Sequence, residues 1–105
     1  MSKALGTIIG NIGSLEFKEL DGDKCVINLS IAHNRKVKEN GKPKEVVDWH
    51  RVVAWNGLAQ IINKYCIKGS KIFVQGELII DTWTDADGKN HRDVKLRADS
   101  VELLT

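Results

Sequence analysis

Apolar and polar residues alternate along several parts of the chain, and this pattern predicts β-strands with one side towards a core. In the segment KCVINLSIAHN (24–34), Cys25 begins a run in which every second residue is apolar up to Ile31. Four more segments complete a set of five predicted strands: ALGTIIGNIGSLEF (4–17), EVVDWHRVVAW (45–55), KIFVQGELIIDTW (71–83) and RDVKLRADSVELL (92–104).

Glycine and turn residues separate these strands and bend two of them. Glycines at positions 6, 10 and 13 interrupt the first predicted strand, and Gly76 interrupts the fourth, so both are predicted to bend or bulge. The Asp-Gly pairs in ELDGDK (19–24) and TDADGKNH (84–91) predict turns before the second and fifth strands.

One amphipathic helix is predicted between the third and fourth strands. Asn56 is its predicted N-cap, and Gly69 is predicted to adopt a positive φ after its end. Its apolar residues recur at the spacing i, i+3, i+4 and i+7: Leu58, Ile61, Ile62 and Tyr65. This order of elements predicts an all-β fold with one short helix, the OB-fold, a five-stranded Greek-key β-barrel with the helix between strands 3 and 4. With 105 residues, the chain is predicted to form one such domain over residues 1–105.

Composition argues against several classes of function. The two cysteines, Cys25 and Cys66, lie outside any Cys-x-x-Cys pattern and are predicted to be buried apolar residues, and the three histidines lack zinc-ligand spacing. No nucleophile–base pair or phosphate-binding glycine loop is visible, so neither an enzyme nor a metal or other cofactor is expected. No apolar run approaches the ~18 residues of a membrane helix, and a cytoplasmic, nucleoid-associated protein is predicted.

Positive charge is concentrated in RKVKENGKPK (35–44), where five cations and one anion give +4, although the net charge of the chain is +2. The cations are Arg35, Lys36, Lys38, Lys42 and Lys44. With its Asn-Gly and Lys-Pro pairs, the segment is predicted to be a long mobile hairpin loop. Taken alone, this charge fits either a solvated loop or a surface that binds a polyanion.

The third predicted strand places two large aromatic rings and a cation on one side. Trp49, Arg51 and Trp55 share its odd positions, and Trp83 lies at the polar end of the fourth strand. Tryptophan is usually buried, but a lone cation on the same side as Trp49 is costly to bury, so exposed indoles are predicted. Exposed indoles stack on any nucleobase, at about 1–3 kcal/mol per base, while lysines neutralise phosphates.

Two other groups of polar residues have simpler interpretations. His50 points to the opposite side from Trp49, where a buried, a hydrogen-bonded or a subunit-contact histidine would fit. The acids Asp81, Asp85 and Asp87 lack the spacing of a calcium-binding loop and predict a polar turn.

The chain resembles the bacterial and phage single-stranded DNA-binding protein family over nearly its whole length. The resemblance rests on IIGNIGSLEF (8–17), VINLSIAHN (26–34), WHRVVAW (49–55), YCIKGS (65–70) and the pattern GEL…TWTDADGK (76–89). It implies an OB-fold without enzymatic activity, single-stranded DNA as the partner and a homo-oligomer, usually a tetramer.

The resemblance also implies roles for individual residues. Trp49, Trp55 and Trp83 match stacking positions of the family, Arg51 matches a DNA-contacting cation, and His50 matches a position near subunit contacts. The complete predicted DNA-binding set is Trp49, Arg51, Trp55, Trp83, Arg35, Lys36, Lys38, Lys42, Lys44 and Lys89.

Two features depart from the family. Members can carry a further stacking tryptophan near positions 34 and 35, whereas this chain has Asn34 and Arg35, so a guanidinium is expected to stack there or that platform is absent. The sequence ends at Thr105, without the linker and acidic tip through which members recruit repair and replication enzymes. Recruitment through a tip is therefore not expected, and a phage, plasmid or accessory version, or a specialised paralogue, is favoured over a housekeeping protein.

Two binding functions are alternatives to sequence-tolerant binding and protection of single-stranded DNA in replication, recombination and repair. An adaptor similar to primosomal replication protein N, which docks to a helicase or loader, has the same barrel and a similar length, but the aromatic residues of WHRVVAW argue against it. An RNA-binding cold-shock-type module is disfavoured because the clustered aromatic motifs of that group are not present.

Overall fold

The fold is described from a computed structural model, which covers residues 2–104. Within these residues it has five strands and one helix. They are β1 (Leu5–Glu19), β2 (Cys25–Glu39), β3 (Lys42–Trp55), α1 (Asn56–Tyr65), β4 (Lys71–Thr84) and β5 (Asn90–Leu103). Every predicted element is present in the predicted order.

The strands close into a barrel in the order β1–β2–β3–β5–β4, and β4 pairs back onto β1. Neighbouring strands are antiparallel except β3 and β5, which run parallel over a short stretch that begins with the Arg51–Lys95 pair. α1 contributes Ala59 and Ile62 to the core of the barrel. This is the OB-fold barrel with a helix between strands 3 and 4, so the predicted fold is confirmed.

The core consists of the inward-facing residues of alternate strand positions together with the buried side of α1. The largest fully buried side chains are Ile12, Ile27, Ile31, Ile62, Ile72, Leu96, Val52 and Val74. Cys25 and Cys66 lie among them as free, buried thiols, which confirms their predicted role. Burial raises the pKa of the Cys66 thiol.

Glycines accompany the bends in both strands that were predicted to bend. The pairing of β1 with β2 shifts register between Ile12 and Ser14, and the pairing of β4 with β5 shifts between Gln75 and Gly76. A Cβ atom on Gly76 would lie 1.9 Å from the backbone oxygen of Arg97, closer than side-chain atoms approach. Glycine therefore allows the two backbones to meet where the barrel turns.

The start of α1 differs from the prediction. The N-cap position is Trp55, and Asn56 is the first helical residue, with φ of 52°. The side chain of Asn56 does not cap the helix, because its Oδ1 accepts a hydrogen bond from the backbone N–H of Cys25 at 3.2 Å. This bond ties the helix to β2 and joins residues 31 positions apart, beyond the reach of a local pattern. Gly69 has φ of 97°, as predicted.

The buried side of α1 is also rotated from the predicted one. Ile61 and Tyr65, expected on the apolar side, are exposed, whereas Ala59 and Ile62 are buried and Leu58 is half-buried. Ala59 is fully buried and belongs to the core, although its side chain is small. The prediction used only large apolar residues and did not include Ala59, so the predicted apolar side was rotated away from the buried one.

The basic segment 35–44 is a two-stranded ribbon, so the prediction of a long mobile loop is wrong. β2 and β3 stay paired as far as Glu39 and Lys42, and only Asn40 and Gly41 form the turn. Their φ values of 52° and 76° are those of the tight hairpin turn that Asn-Gly favours. The segment is therefore a hairpin, as predicted, but its residues are paired in strands up to a two-residue turn.

Gly76→Ala should destabilise the fold, because the added methyl group collides with the backbone oxygen of Arg97. We expect the free energy of unfolding, measured by denaturant titration, to fall by about 1–3 kcal/mol. Gly57→Ala is the matched control, since no atom lies within 4 Å of its Cβ position. In α1 that alanine should stabilise the helix by about 1 kcal/mol. A Gly76→Ala variant as stable as the wild type would contradict the close approach of the backbones.

Candidate nucleic-acid interface

β3 carries the first part of the candidate interface on the outer side of the barrel. Trp49, Arg51 and Trp55 alternate with inward-facing residues, of which Val52 and Ala54 belong to the core. The two indoles are 61% and 46% exposed. The prediction that these rings are exposed is therefore confirmed.

The same outer side continues across β5 to the end of β4. Residues paired between neighbouring strands face the same way, so the Arg51–Lys95 pair extends this side onto β5. His91 lies an even number of residues from Lys95 and pairs with Trp83, which is 48% exposed. We call this surface the aromatic face; it comprises Trp49, Arg51, Trp55, Trp83, His91, Asp93 and Lys95.

The indole of Trp49 rests on the bulge of β1. A Cβ atom on Gly13 would lie 2.2 Å from Cζ3 and 2.7 Å from Cη2 of Trp49, so only glycine leaves room for the ring. The hydroxyl oxygens of Ser14 and Ser30, 2.7 Å apart, border this seat. The ring is thus held along one edge while most of its surface stays open to a ligand.

The indole of Trp83 is held by a different contact, a stack on the imidazole of His91. The ring centroids are 5.3 Å apart, and the planes meet at 18°. Nε2 of His91 lies 2.6 Å from Oδ2 of Asp85, and this hydrogen bond is the main cause of the lowered pKa of Asp85. Oδ1 of Asp85 accepts hydrogen bonds from the backbone N–H groups of Asp87 and Lys89. Asp85 and Asp87 therefore lie in a polar turn, as predicted, and the turn positions the ring that supports Trp83. For Asp81 the prediction is wrong, because this residue lies within β4.

The cations of the aromatic face are paired with carboxylates. Nη1 of Arg51 donates a hydrogen bond to Oδ2 of Asp93, and Nζ of Lys95 lies 3.0 Å from Oδ2 of Asp81. Asp81 and Asp93 are direct partners across β4 and β5. The centre of the aromatic face is therefore balanced in charge.

Three members of the aromatic face were missed by the sequence analysis: His91, Asp93 and Lys95. All three lie on β5, and the contact between Arg51 and Asp93 joins residues 42 positions apart. The position of His91 opposite Trp83 could have been predicted from the Asp87-Gly88 pair, because a turn at this pair sets which residues of β4 and β5 face each other. The parallel contact of β5 with β3 had no comparable local signal.

The cations of the basic ribbon (residues 35–44) divide between its two sides. The register places Lys36 and Lys38 on the side of Trp49. The other three lie on the opposite side: Arg35, Lys42 and Lys44. Lys89 is exposed in the turn between β4 and β5. Two of the five ribbon cations therefore lie on the same side as the indoles, and the other three lie on the opposite side of the ribbon.

The opposite side of the ribbon holds a cluster of hydrogen-bonded side chains. Nδ1 of His33 and Nε2 of His50 are 2.9 Å apart, and their rings stack. Nε of Arg35 donates to Oδ2 of Asp48 at 2.5 Å, and this bond is the main cause of the lowered pKa of Asp48. Of the three environments predicted for His50, the structure shows the hydrogen-bonded one, and its subunit contact stays a prediction.

The aromatic face offers flat rings and cations to a ligand. Exposed indoles can stack on bases, and ammonium groups can contact phosphates. Among residues 2–104, no group of three or more His, Cys, Asp and Glu side chains is placed to hold a metal ion. None of the helices in that part of the chain combines the length and apolar character that crossing a membrane requires.

Comparison with known sequences identifies a family to which the chain is similar. The sequence model of the Single-strand binding protein family matches residues 5–104. A similar protein is Single-stranded DNA-binding protein 1 of Xylella fastidiosa (strain 9a5c), which is 30% identical over 100 residues. That match covers 92% of this chain and 74% of the Xylella protein.

Two solved structures are also similar. One is described as a Plasmodium falciparum SSB complex with ssDNA; it has a TM-score of 0.87 and 25% identity, and the match covers 100% of this chain and 97% of that one. The other is a small single-stranded DNA-binding protein from Streptomyces coelicolor, with a TM-score of 0.80, 17% identity and coverage of 98% and 95%. At its lower identity, the second likeness shows the fold alone.

Gly13→Ala should displace the indole of Trp49, because the new methyl group would occupy space 2.2 Å from the ring. We expect the tryptophan emission of the free protein to change and the free energy of unfolding to fall by no more than about 1–3 kcal/mol, since an exposed ring can rotate away. Gly57→Ala adds the same methyl group at an open position and serves as the control. Identical emission spectra for Gly13→Ala and the wild type would show that the ring is not seated on this glycine.

Proposed function

This chain belongs to the single-strand binding protein family, and we propose that it binds single-stranded DNA on the aromatic face. It is a single-stranded DNA-binding protein and not an enzyme. We propose that it holds and protects exposed strands during replication, recombination and repair. The assignment of this function to particular side chains is the part that we propose from the geometry.

The exposure of three indoles on one side of the barrel is the observation that carries the proposal. Trp49, Trp55 and Trp83 present flat surfaces to solvent, and two of these rings are held by neighbouring residues. Every nucleobase has a π-face, so stacking contributes about 1–3 kcal/mol per base without selecting a sequence. In a duplex these faces are covered by neighbouring base pairs, and the surface therefore favours a single strand.

Cations bordering the indoles are the proposed phosphate contacts. Arg51 lies between Trp49 and Trp55 on β3, and Lys36 and Lys38 extend the same side along the basic ribbon. Each phosphate that they neutralise releases counterions, which favours binding at low salt. We place two further groups in the set: Lys89, in the turn that supports Trp83, and the cations behind the ribbon, Arg35, Lys42 and Lys44. The second group can contact DNA only if the strand passes around the ribbon.

Trp49→Ala and Trp83→Ala should each weaken the binding of oligo-dT by about 1–3 kcal/mol, because each removes one stacking platform. Both rings are exposed, so folding should be retained. The measurement is a fluorescence titration with oligo-dT at low salt, in which indole emission of the wild type is strongly quenched by the oligonucleotide and weakly by duplex DNA. Tyr65→Ala is the control, since Tyr65 is an exposed aromatic residue on α1, outside the aromatic face.

Several outcomes would count against this assignment. Wild-type emission unchanged by oligo-dT would remove the stacking model, and equal losses for Tyr65→Ala and Trp49→Ala would show that no particular surface is used. Collapse of the fold in Trp83→Ala would show that the ring packs rather than binds. Strong capture of a helicase by a protein with feeble oligonucleotide affinity would favour the adaptor function instead.

We also propose that the protein acts as a homo-oligomer, with four chains as the expected number. Between Leu5 and Ile9, β1 pairs with β4 along one edge, and no strand among residues 2–104 pairs with its other edge. Exposed apolar side chains accompany this open edge, including Leu5 and Ile9 themselves. An open edge with apolar neighbours favours pairing with another chain. His50, on the side of the ribbon away from the indoles, is the proposed subunit contact.

Ile9→Glu should reduce the mass of the particle in solution, because it places a charge beside the open edge of β1. The measurement is light scattering coupled to size-exclusion chromatography, with the wild type expected near four times the chain mass of 11.7 kDa. Ile67→Glu is the matched control, an equally large change at a more exposed isoleucine beyond α1. A wild type that elutes with the mass of one chain would contradict the oligomer, and equal effects of both variants would contradict the location.

A further inference from the structure

Four charged side chains meet at the centre of the aromatic face, between the indoles of β3 and the indole of β4. Asp81 and Asp93 face each other directly across β4 and β5. Like charges in this position destabilise a pair of strands. Lys95 and Arg51 counter them, Lys95 through an ion pair with Asp81 and Arg51 through one with Asp93. The two carboxylates therefore bind the two cations nearest the stacking surface.

The Arg51–Asp93 pair is asymmetric in its exposure. The side chain of Arg51 is 69% exposed, whereas that of Asp93 is 28% exposed. The guanidinium thus projects outwards from a carboxylate that is fixed lower in the sheet. Because a guanidinium has five N–H donors in a planar fork, it can leave one anionic partner for another of similar geometry. A phosphate that approaches a base stacked on Trp49 would meet this group first.

We propose that Asp93 holds Arg51 in the free protein and is displaced by a DNA phosphate, so that Asp93 lowers the affinity for single-stranded DNA. This inference rests on the proposed binding of DNA to the aromatic face. The phosphate forms an ion pair with the guanidinium of Arg51. In exchange, the ion pair between Arg51 and Asp93 is broken, and Asp93 remains opposite Asp81 without a cation. Arg51 therefore contributes less to binding than a free arginine at the same position, and the indoles contribute the larger share.

A double-mutant cycle can distinguish replacement of Asp93 by a phosphate from independent effects of the two charges on DNA binding. If the ion pair persists in the complex, removing Arg51 weakens binding by the same factor whether or not Asp93 is charged. If the phosphate replaces Asp93, removing Arg51 weakens binding more when the carboxylate is already gone. The difference between the two losses measures the ion pair that DNA has to break.

The experiment uses oligo-dT and indole quenching at low salt, where the charges are least screened. Four proteins are compared: wild type, Asp93→Asn, Arg51→Met and the double variant. We expect Asp93→Asn to bind about two- to fivefold more tightly than the wild type, as the loss of a partly exposed ion pair implies. We also expect Arg51→Met to weaken binding by a factor about two- to fivefold larger in the Asp93→Asn protein than in the wild type.

Asp99→Asn is the control for net charge, because it also removes one carboxylate from β5, but Asp99 lines a surface cavity together with Thr7 and Gln75 and is not part of the aromatic face. An equal gain in affinity for Asp99→Asn and Asp93→Asn would overturn the proposal in favour of a general charge effect. If Arg51→Met weakens binding by the same factor in the wild type and in the Asp93→Asn protein, the proposed displacement of Asp93 is wrong. It is also wrong if Asp93→Asn binds oligo-dT no more tightly than the wild type. Absence of quenching in the wild type is a different failure, since it removes the proposed interface itself.

Discussion

Closure of the barrel through the short parallel contact between β3 and β5 is the constraint on which the rest of the structure depends. Because Arg51 pairs with Lys95, the outer side of β3 continues onto β5 and from there to Trp83 on β4. The bend at Gly76, where a neighbouring backbone oxygen leaves no room for a side chain, lets β4 follow β5 around the barrel. Without this closure, Trp49 and Trp83 would lie on separate parts of the molecule rather than on one surface.

The aromatic face is arranged before any ligand arrives. Trp49 is seated on Gly13, and Trp83 stacks on His91, so two of the rings lose little freedom when a base lies against them. The cations at the centre are held by carboxylates, while excess positive charge is carried on the basic ribbon. Charge on the ribbon can attract a polyanion over distance, whereas the central surface acts through contact. The basic ribbon therefore attracts the polyanion, and the aromatic face stacks on its bases.

The basic ribbon explains why some of the fold could not be predicted. Alternation of apolar and polar residues predicts a strand because one side of the strand is buried. Beyond the barrel, β2 and β3 have no core to face, so residues 35–44 show charge without alternation. Contacts such as those between His33 and His50 and between Arg35 and Asp48 hold the ribbon instead. These contacts join different strands, and a single segment of sequence does not reveal them.

By itself, the sequence determined the five strands, the helix and the exposure of Trp49, because each depends on residues close together in the chain. It also determined that Arg51 shares a side with that ring, since the period of a strand is two residues. It also marked the positions of the bends through their glycines, although the backbone that approaches Gly76 belongs to Arg97 on another strand. Only the tertiary structure decided that Asp93 binds Arg51 and that His91 supports Trp83. Such partners are fixed by the register between strands, which depends on the packing of the whole core and not on any local pattern.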